Sequence, residues 1–197
     1  MAITLTQAAI DDALPRVRPG LDKYLVLQTR RDSCDVRRDR EYRRRFNHFY
    51  RVRRGEEWQG KFYSLLERSK TKPASFADIL TALHRATGRY EASFASKLLA
   101  TIDPEMPVID SIVLRNLNLK LPTGSARRLE QLAVLHRELN ARFREFLTTD
   151  AGRYLVTRFR AEYPDANITE IKMLDLVLWQ TRPPKAKTPR HRKPKSK

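Results

Sequence analysis

The spacing of large apolar side chains is the feature that most limits how this chain can fold. Between Ser125 and Leu147 these side chains recur at intervals of three and four residues, which is the period of one helix face. Shorter stripes of the same period lie at residues 58–66 and 76–83. Only six glycines occur in 197 residues, so few breaks interrupt these stretches. We therefore predict an all-α fold, with a single compact multi-helix domain over residues 1–182.

Two local patterns predict helix starts, and one segment remains ambiguous. Ser75 is followed three residues later by Asp78, and Asn167 by Glu170, which is the pattern of a capping residue with an acidic partner. Helices should start at both places, and the second helix is apolar around most of its circumference, so it should be buried. The segment 23–29, KYLVLQT, contains β-prone residues, but we favour a helix over a short strand there.

The charge of the chain favours a polyanionic partner. Forty Lys and Arg residues stand against 23 Asp and Glu residues, which gives a formal charge of +17 at pH 7. Nucleic acid is the first candidate and an anionic membrane surface the second. No apolar run approaches the ~20 residues of a spanning helix, and no signal peptide is expected from the N-terminal residues. We expect a DNA-binding protein, with a monomer as the simplest state, and no membrane association.

Cysteine and histidine usage argues against a metal centre. Cys34 is the single cysteine, which excludes an internal disulfide and any four-cysteine zinc or iron–sulfur site. The four histidines share no metal-ligand spacing. We expect no metal and no cofactor, and a location in the reducing cytoplasm, associated with the nucleoid if the cell is prokaryotic.

Two segments concentrate the positive charge. Residues 36–54 carry nine arginines against two acids and are interleaved with aromatic residues. Arginine forks bind phosphates and aromatic faces can stack on bases, so we favour nucleic-acid contact over a plain solvated face. Residues 183–197 contain four prolines and no acid, which predicts a disordered basic tail that adds electrostatic affinity or serves as a solubilising or targeting segment.

Asp110 admits two interpretations. It follows Pro107 and precedes an apolar run that starts at Ile112, so it should stand at or near a helix N-cap and be an anion at neutral pH. A capping aspartate contributes on the order of 1 kcal/mol and needs no further role. Spacing alone favours the cap.

A longer window gives Asp110 a chemical interpretation. Residues 87–117, TGRYEASFASKLLATIDPEMPVIDSIVLRNL, resemble the segment of the helix-hairpin-helix DNA glycosylase superfamily in which a glycine turn and a helix precede a Val-Asp-Thr-His-Val-type motif. Gly88 stands at the first hairpin glycine and Asp110 at the catalytic aspartate. The resemblance implies a glycosylase fold, and an enzyme that hydrolyses the N-glycosidic bond of a damaged or modified base flipped out of double-stranded DNA.

The departures from the family pattern refine this expectation. Tyr90 replaces the second hairpin glycine, so a phosphate grip by backbone amides and a bound monovalent ion are not implied. Ala92 stands where members with strand-nicking activity have lysine. Lys97 lies further along the same predicted helix and is not a positional match. The resemblance therefore implies a monofunctional enzyme without lyase activity.

Further candidate residues follow from the basic and aromatic segments and from the hairpin. We expect phosphate contacts from Arg43, Arg44, Arg45, Arg51, Arg53, Arg54, Gly88, Arg89 and Lys97. For the walls of a base pocket we propose Phe49, Tyr50, Trp58 and Tyr63, and we favour a core role for Phe62. Asp175, an acid within an apolar helix, either pairs with a buried base such as Lys172 or borders the pocket, and we favour the pair.

Two other functions stay open. The first is a non-enzymatic basic DNA or RNA binder on the same helical scaffold, in which Asp110 is only a cap. The second is a helical partner-binding protein whose charge serves solubility or a membrane surface.

Overall fold

A computed structural model describes residues 3–124 and 127–181, and every regular element in these ranges is helical. The all-α prediction is therefore confirmed for them. No helix in the same ranges combines the length and apolar character that a membrane crossing needs. The predicted tail at 183–197 lies outside the described residues. The helices are α1 (Gln7–Ala13), α2 (Arg18–Ser33), α3 (Arg40–Tyr50), α4 (Glu56–Ser69), α5 (Phe76–Thr87), α6 (Ala92–Ile102), α7 (Ser111–Asn116), α8 (Arg128–Leu147), α9 (Asp150–Glu162) and α10 (Glu170–Gln180), with a 3₁₀ turn at Leu14–Arg16.

Helix α10 lies at the centre of the molecule. All residues from Ile171 to Leu178 are buried, and the helix contacts α1, α7, α8 and α9. A helix that is apolar around most of its circumference can bury all of its faces only when other helices surround it. The prediction of a buried helix here is confirmed.

The predicted start of α10 at Asn167 is wrong by two residues. Thr169 is the N-cap, and its hydroxyl accepts the Lys172 N–H at 3.2 Å. Asn167 instead belongs to the preceding turn, in which its N–H bonds to the Asp165 carbonyl. The carboxylate of Glu170 pairs with an arginine of α9 and does not close a capping box.

The other helix predictions agree with the structure. Residues 23–29 lie within α2, so the helical alternative is confirmed. Ser75 and Asp78 form a reciprocal capping box at the start of α5. The long helix α8 starts at Arg128, and residues 125–126 at its predicted start lie outside the described residues.

An aromatic cluster anchors the basic helix α3. Phe46 is fully buried, with ring centroids at 4.7 Å from Tyr50, 5.5 Å from Phe62 and 5.7 Å from Tyr63. Because the aromatic residues recur at helical spacing, one face of α3 packs into the core and its arginines remain on the opposite side.

Helices α5 and α6 form a hairpin that closes at Gly88. Gly88 caps α5 with φ 69°, and its N–H donates to the His84 carbonyl at 2.8 Å. A Cβ at this position would meet no atom within 4 Å. It is therefore the left-handed backbone angle, and not a lack of space, that favours glycine here. The two helices pack against each other.

Candidate active site

Asp110 is the N-cap of α7, as predicted. Its backbone is extended, with φ −127° and ψ 149°, and its Oδ1 accepts the Ile112 N–H at 2.7 Å. Its carbonyl accepts the Leu114 N–H at 2.8 Å, which begins the helical bonding. The side chain is half-buried. One carboxylate oxygen is thus committed to the cap, which fixes the orientation of the group.

Buried hydrogen bonds hold the segment that leads to Asp110. The Ile109 N–H donates to the Ser96 hydroxyl on α6 at 2.9 Å, and Nε2 of His136 on α8 lies 3.2 Å from the Pro107 carbonyl. Burial lowers the pKa of His136 to about 4, against the opposing effect of the Pro107 bond, so the ring is neutral and donates through Nε2. The approach to Asp110 is therefore tied to two helices.

Helix α10 fixes the region around Asp110 from its two ends. At its start, the Thr169 hydroxyl donates to the Pro104 carbonyl at 2.7 Å. At its end, the side-chain amide of Asn116 donates to the carbonyls of Leu178 at 3.1 Å and Thr181 at 2.8 Å. Both the loop before α7 and the last residue of α7 are thus bonded to the central helix.

A cavity of about 270 Å³ opens beside Asp110. This lies just below the ~300–1,000 Å³ of sites for drug-sized ligands, so it suits a smaller group. Aromatic side chains from α3 and α10 form part of the wall, and the ring centroids of Phe49 and Trp179 are 5.6 Å apart. The lining residues are Phe49, Tyr50, Arg51, Lys97, Asp110, Ser111, Ile112, Trp179 and Gln180.

Lys97 contributes a buried amine to this cavity. Its side chain is on α6, is 7% exposed, and donates from Nζ to the Tyr50 carbonyl at 3.2 Å. Nζ also lies 5.0 Å from the centroid of the Phe94 ring. Burial lowers the pKa of Lys97, although the charge of Asp110 acts in the opposite direction. Sequence reasoning placed Lys97 among the phosphate contacts, whereas the structure places it in the cavity wall.

Arg51 joins the cavity to a larger groove. It caps α3 in the left-handed conformation, with φ 54° and ψ 46°, which is uncommon for a residue other than glycine. The groove has a volume of about 630 Å³ and shares Phe49, Arg51, Trp179 and Gln180 with the cavity. Its remaining lining residues are Arg16, Pro19, Gly20, Lys23, Asn47, His48, Val52 and Arg53.

The predicted phosphate contacts fall into two groups. Arg44 and Arg45 both pair with Glu41 on the exposed face of α3, at 2.8 Å and 2.6 Å. Arg54 pairs with the buried Glu91 at 3.1 Å, which links the segment after α3 to the hairpin. Because these three guanidinium groups already have carboxylate partners, fewer of their N–H groups are available to bind a phosphate.

The second group has no ion pair to a carboxylate within the described ranges. It comprises Arg43, whose guanidinium lies 4.8 Å from the Tyr63 ring centroid, and the exposed residues Arg51, Arg53 and Arg89. Gly88 is exposed beside Arg89. Of these, Arg51 and Arg53 line the groove next to the cavity.

The four aromatic residues that were predicted for the base pocket also fall into two groups. Phe49 and Tyr50 line the cavity, but Trp58 stacks on Phe62 with ring centroids 5.2 Å apart. The Tyr63 hydroxyl donates to an asparagine of α3 at 2.6 Å, inside the core. Trp58 and Tyr63 do not line the cavity.

Trp179 completes the wall and was missed in the sequence. The only signal was its place in the last turn of a helix that was predicted to be buried. Asp175, one turn earlier, pairs with Lys172 at 2.6 Å, so the predicted pair is confirmed. Burial raises the pKa of Asp175, and the charge of Lys172 opposes that rise.

No family model, curated protein or solved structure matches this chain.

Proposed function

We propose that this chain is a DNA glycosylase that hydrolyses the N-glycosidic bond of a flipped damaged or modified base, with Asp110 as the catalytic carboxylate. The observation that carries this proposal is that the Asp110 carboxylate shares one cavity with the aromatic residues Phe49, Tyr50 and Trp179. A carboxylate supplies the chemistry of bond cleavage, and aromatic walls suit a planar base.

The carboxylate of Asp110 suits the charge that develops in this reaction. When the C1′–N bond breaks, the deoxyribose acquires oxocarbenium-like positive charge. A carboxylate that is already oriented stabilises that charge and positions or deprotonates the attacking water. Since the Ile112 N–H holds Oδ1 at 2.7 Å, little reorganisation is needed as the charge develops.

The fixed frame around Asp110 supports a catalytic role. Bonds from Ser96, His136 and Thr169 hold the loop in front of it, and Asn116 holds the helix behind it. Catalytic groups must be held within about 0.5 Å of their productive position, and such supporting bonds provide that precision.

The groove that adjoins the cavity suits the phosphates on either side of a flipped nucleotide. Lys23, Arg51 and Arg53 line it and bring positive charge next to the cavity. Arginine binds phosphate oxygens in a fork geometry, and such contacts fix the position of the duplex without reading its sequence. Binding through this groove should weaken as the salt concentration rises.

The test is a base-release assay on duplexes that carry uracil, alkylated, oxidised or hypermodified bases, followed by alkali to reveal abasic sites. Wild type should produce alkali-dependent cleavage of one substrate class. Asp110→Asn keeps an N-cap oxygen but removes the charge, so turnover should fall by roughly 10²- to 10³-fold while affinity for DNA is retained.

Glu105→Gln is the matched control. It makes the same change of charge in the same loop, at an exposed carboxylate that does not line the cavity. Base release should survive this substitution. If wild type and Asp110→Asn both bind DNA and neither releases any base, the proposal fails, and the non-enzymatic binder with Asp110 as a helix cap replaces it.

A further inference from the structure

A second basic concavity lies beside the groove. Lys23 on α2 and Arg44, Arg45 and His48 on α3 line a hollow of about 220 Å³, which we call the basic notch. Among the described residues no acidic side chain lines it. Its volume is below the ~300–1,000 Å³ of sites for drug-sized ligands, so it suits a small anionic group such as a phosphate. Lys23 and His48 also line the groove, whereas Arg44 and Arg45 do not, so the two concavities adjoin at the first two residues.

The contact between Lys23 and His48 leaves positive charge without an acidic partner. Nζ of Lys23 lies 3.3 Å from Nε2 of His48. An ammonium group can only donate hydrogen bonds, so the imidazole nitrogen accepts here. Within residues 3–124 and 127–181 neither side chain forms an ion pair with a carboxylate, and the neighbouring Asp22 pairs with Arg18 instead. The ammonium of Lys23 therefore keeps its full charge and has two further N–H groups for an anion.

The arginines of the notch add to this excess. Glu41 accepts from Nε and Nη2 of Arg44 at 2.8 Å and from Nε of Arg45 at 2.6 Å. One carboxylate thus balances one of the two guanidinium charges. Together with Lys23, two positive charges remain in excess around the notch, which attracts an anion. The Nη groups of Arg45 do not bond to Glu41, so part of its fork is still available to phosphate oxygens.

The hairpin of α5 and α6 offers a phosphate less than the notch does. The Gly88 N–H donates to the His84 carbonyl at 2.8 Å, and the Arg89 N–H donates to the Thr87 hydroxyl at 3.3 Å. Both amides at the turn are therefore already bonded within the hairpin. What the turn still presents is the exposed side chains of Arg85 and Arg89.

We propose that a DNA duplex crosses the edge formed by α2 and α3, with backbone phosphates in the groove and in the basic notch, and that it does not run over the α5–α6 hairpin. The two helices pack against each other, so the fold fixes their spacing. Arg51 connects the cavity to the groove, and Lys23 connects the groove to the notch. A phosphodiester backbone is an extended polyanion that matches such a series of sites. That the polyanion is DNA rests on the proposed function.

The salt dependence of binding to an undamaged duplex tests this inference without any base release. Lys23→Gln/Arg45→Gln removes two cations from the notch. Both side chains are exposed and Arg44 still holds Glu41, so the fold should be retained. The slope of log association constant against log salt concentration should become shallower by about 1.8, and the affinity at about 0.1 M salt should fall roughly 10- to 60-fold. Lys23→Gln alone should change the slope by about half as much, which serves if the double variant fails to fold.

The matched control is Arg85→Gln/Arg89→Gln, which removes the same charge from exposed side chains of the hairpin. It should leave the slope unchanged. A hairpin variant that loses as much affinity as the notch variant, or a notch variant with the slope of wild type, overturns the inference.

The outcome for the duplex path is separate from the outcome for the glycosylase. Base release by wild type with an unchanged slope in the notch variant would overturn the path and leave the glycosylase standing. A shallower slope in the notch variant, without base release from any damaged duplex, would support the path and remove the glycosylase. If wild type binds no duplex, and inorganic phosphate shifts the imidazole NMR signals of His48, the notch is a site for a free anion and the inference is overturned.

Discussion

Two buried lysines in this molecule have different partners that compensate for the loss of water around their amines. Lys172 on α10 is 2% exposed and pairs with Asp175 at 2.6 Å, in the middle of the core. Lys97 on α6 is 7% exposed and bonds to the Tyr50 carbonyl at the edge of a cavity. Burial alone therefore does not describe the setting of a lysine. The two amines differ in their partners, because Lys172 is held by an ion pair, whereas Lys97 is bonded to a backbone carbonyl and lines a cavity.

Loss of the Lys172 amine should have the largest effect on stability. Lys172→Met leaves Asp175 buried without its partner, so the free energy of unfolding should fall by about 3–5 kcal/mol, as measured by urea denaturation. The double variant Lys172→Met/Asp175→Leu removes both charges and should recover most of that loss. A single variant as stable as wild type would show that the pair contributes nothing to the fold.

Lys97 should make the stability of the fold depend on pH. In the unfolded chain a lysine keeps its proton up to about pH 10.4, whereas folded Lys97 loses it at lower pH because burial lowers its pKa. Between these two pKa values the unfolded state binds more protons, so stability should rise with pH, by at most roughly 1.4 kcal/mol per pH unit.

Variants isolate this contribution. Urea denaturation from pH 7 to 10 should show a steeper rise for wild type than for Lys97→Met. In Asp110→Asn the rise should begin at lower pH, because the lost carboxylate favoured the charged form of Lys97. Equal slopes for wild type and Lys97→Met would mean that Lys97 does not contribute this pH dependence.

The smallest effect is expected from Lys97→Met at pH 7. The variant removes the hydrogen bond to Tyr50, which costs about 1 kcal/mol, but it also removes a desolvated amine. The two changes offset each other, so the free energy of unfolding should stay within about 1 kcal/mol of wild type in the same urea experiment. A loss comparable to that of Lys172→Met would instead assign Lys97 a structural role.

Sequence reasoning succeeded where the signal was local. The helical period predicted the fold class, and the order of Pro107, Asp110 and Ile112 predicted the cap. It was less reliable where two residues compete for one role. Asn167 and Thr169 are both residue types that are favoured at an N-cap. In the structure Asn167 belongs to the preceding turn through its N–H, and Thr169 is the N-cap.

The composition of the cavity could not be predicted in this way. Tyr50, Lys97 and Trp179 are far apart in the sequence and meet only when α3, α6 and α10 pack together. Whether an arginine has a carboxylate partner also depends on residues far away in the sequence, since Arg54 pairs with Glu91, 37 residues later. Neither residue type nor spacing reveals which basic side chain will form an ion pair with a distant acid.

The central position of α10 affects the order of events during synthesis. A ribosome adds residues from the N-terminus, at about 5–20 per second in cells. The basic helix α3 emerges early, whereas Trp179 and Gln180 of the cavity wall emerge after nearly all the other described residues. A nascent chain therefore has a charged surface before it has a complete cavity, and the cavity can bind nothing until α10 has left the exit tunnel.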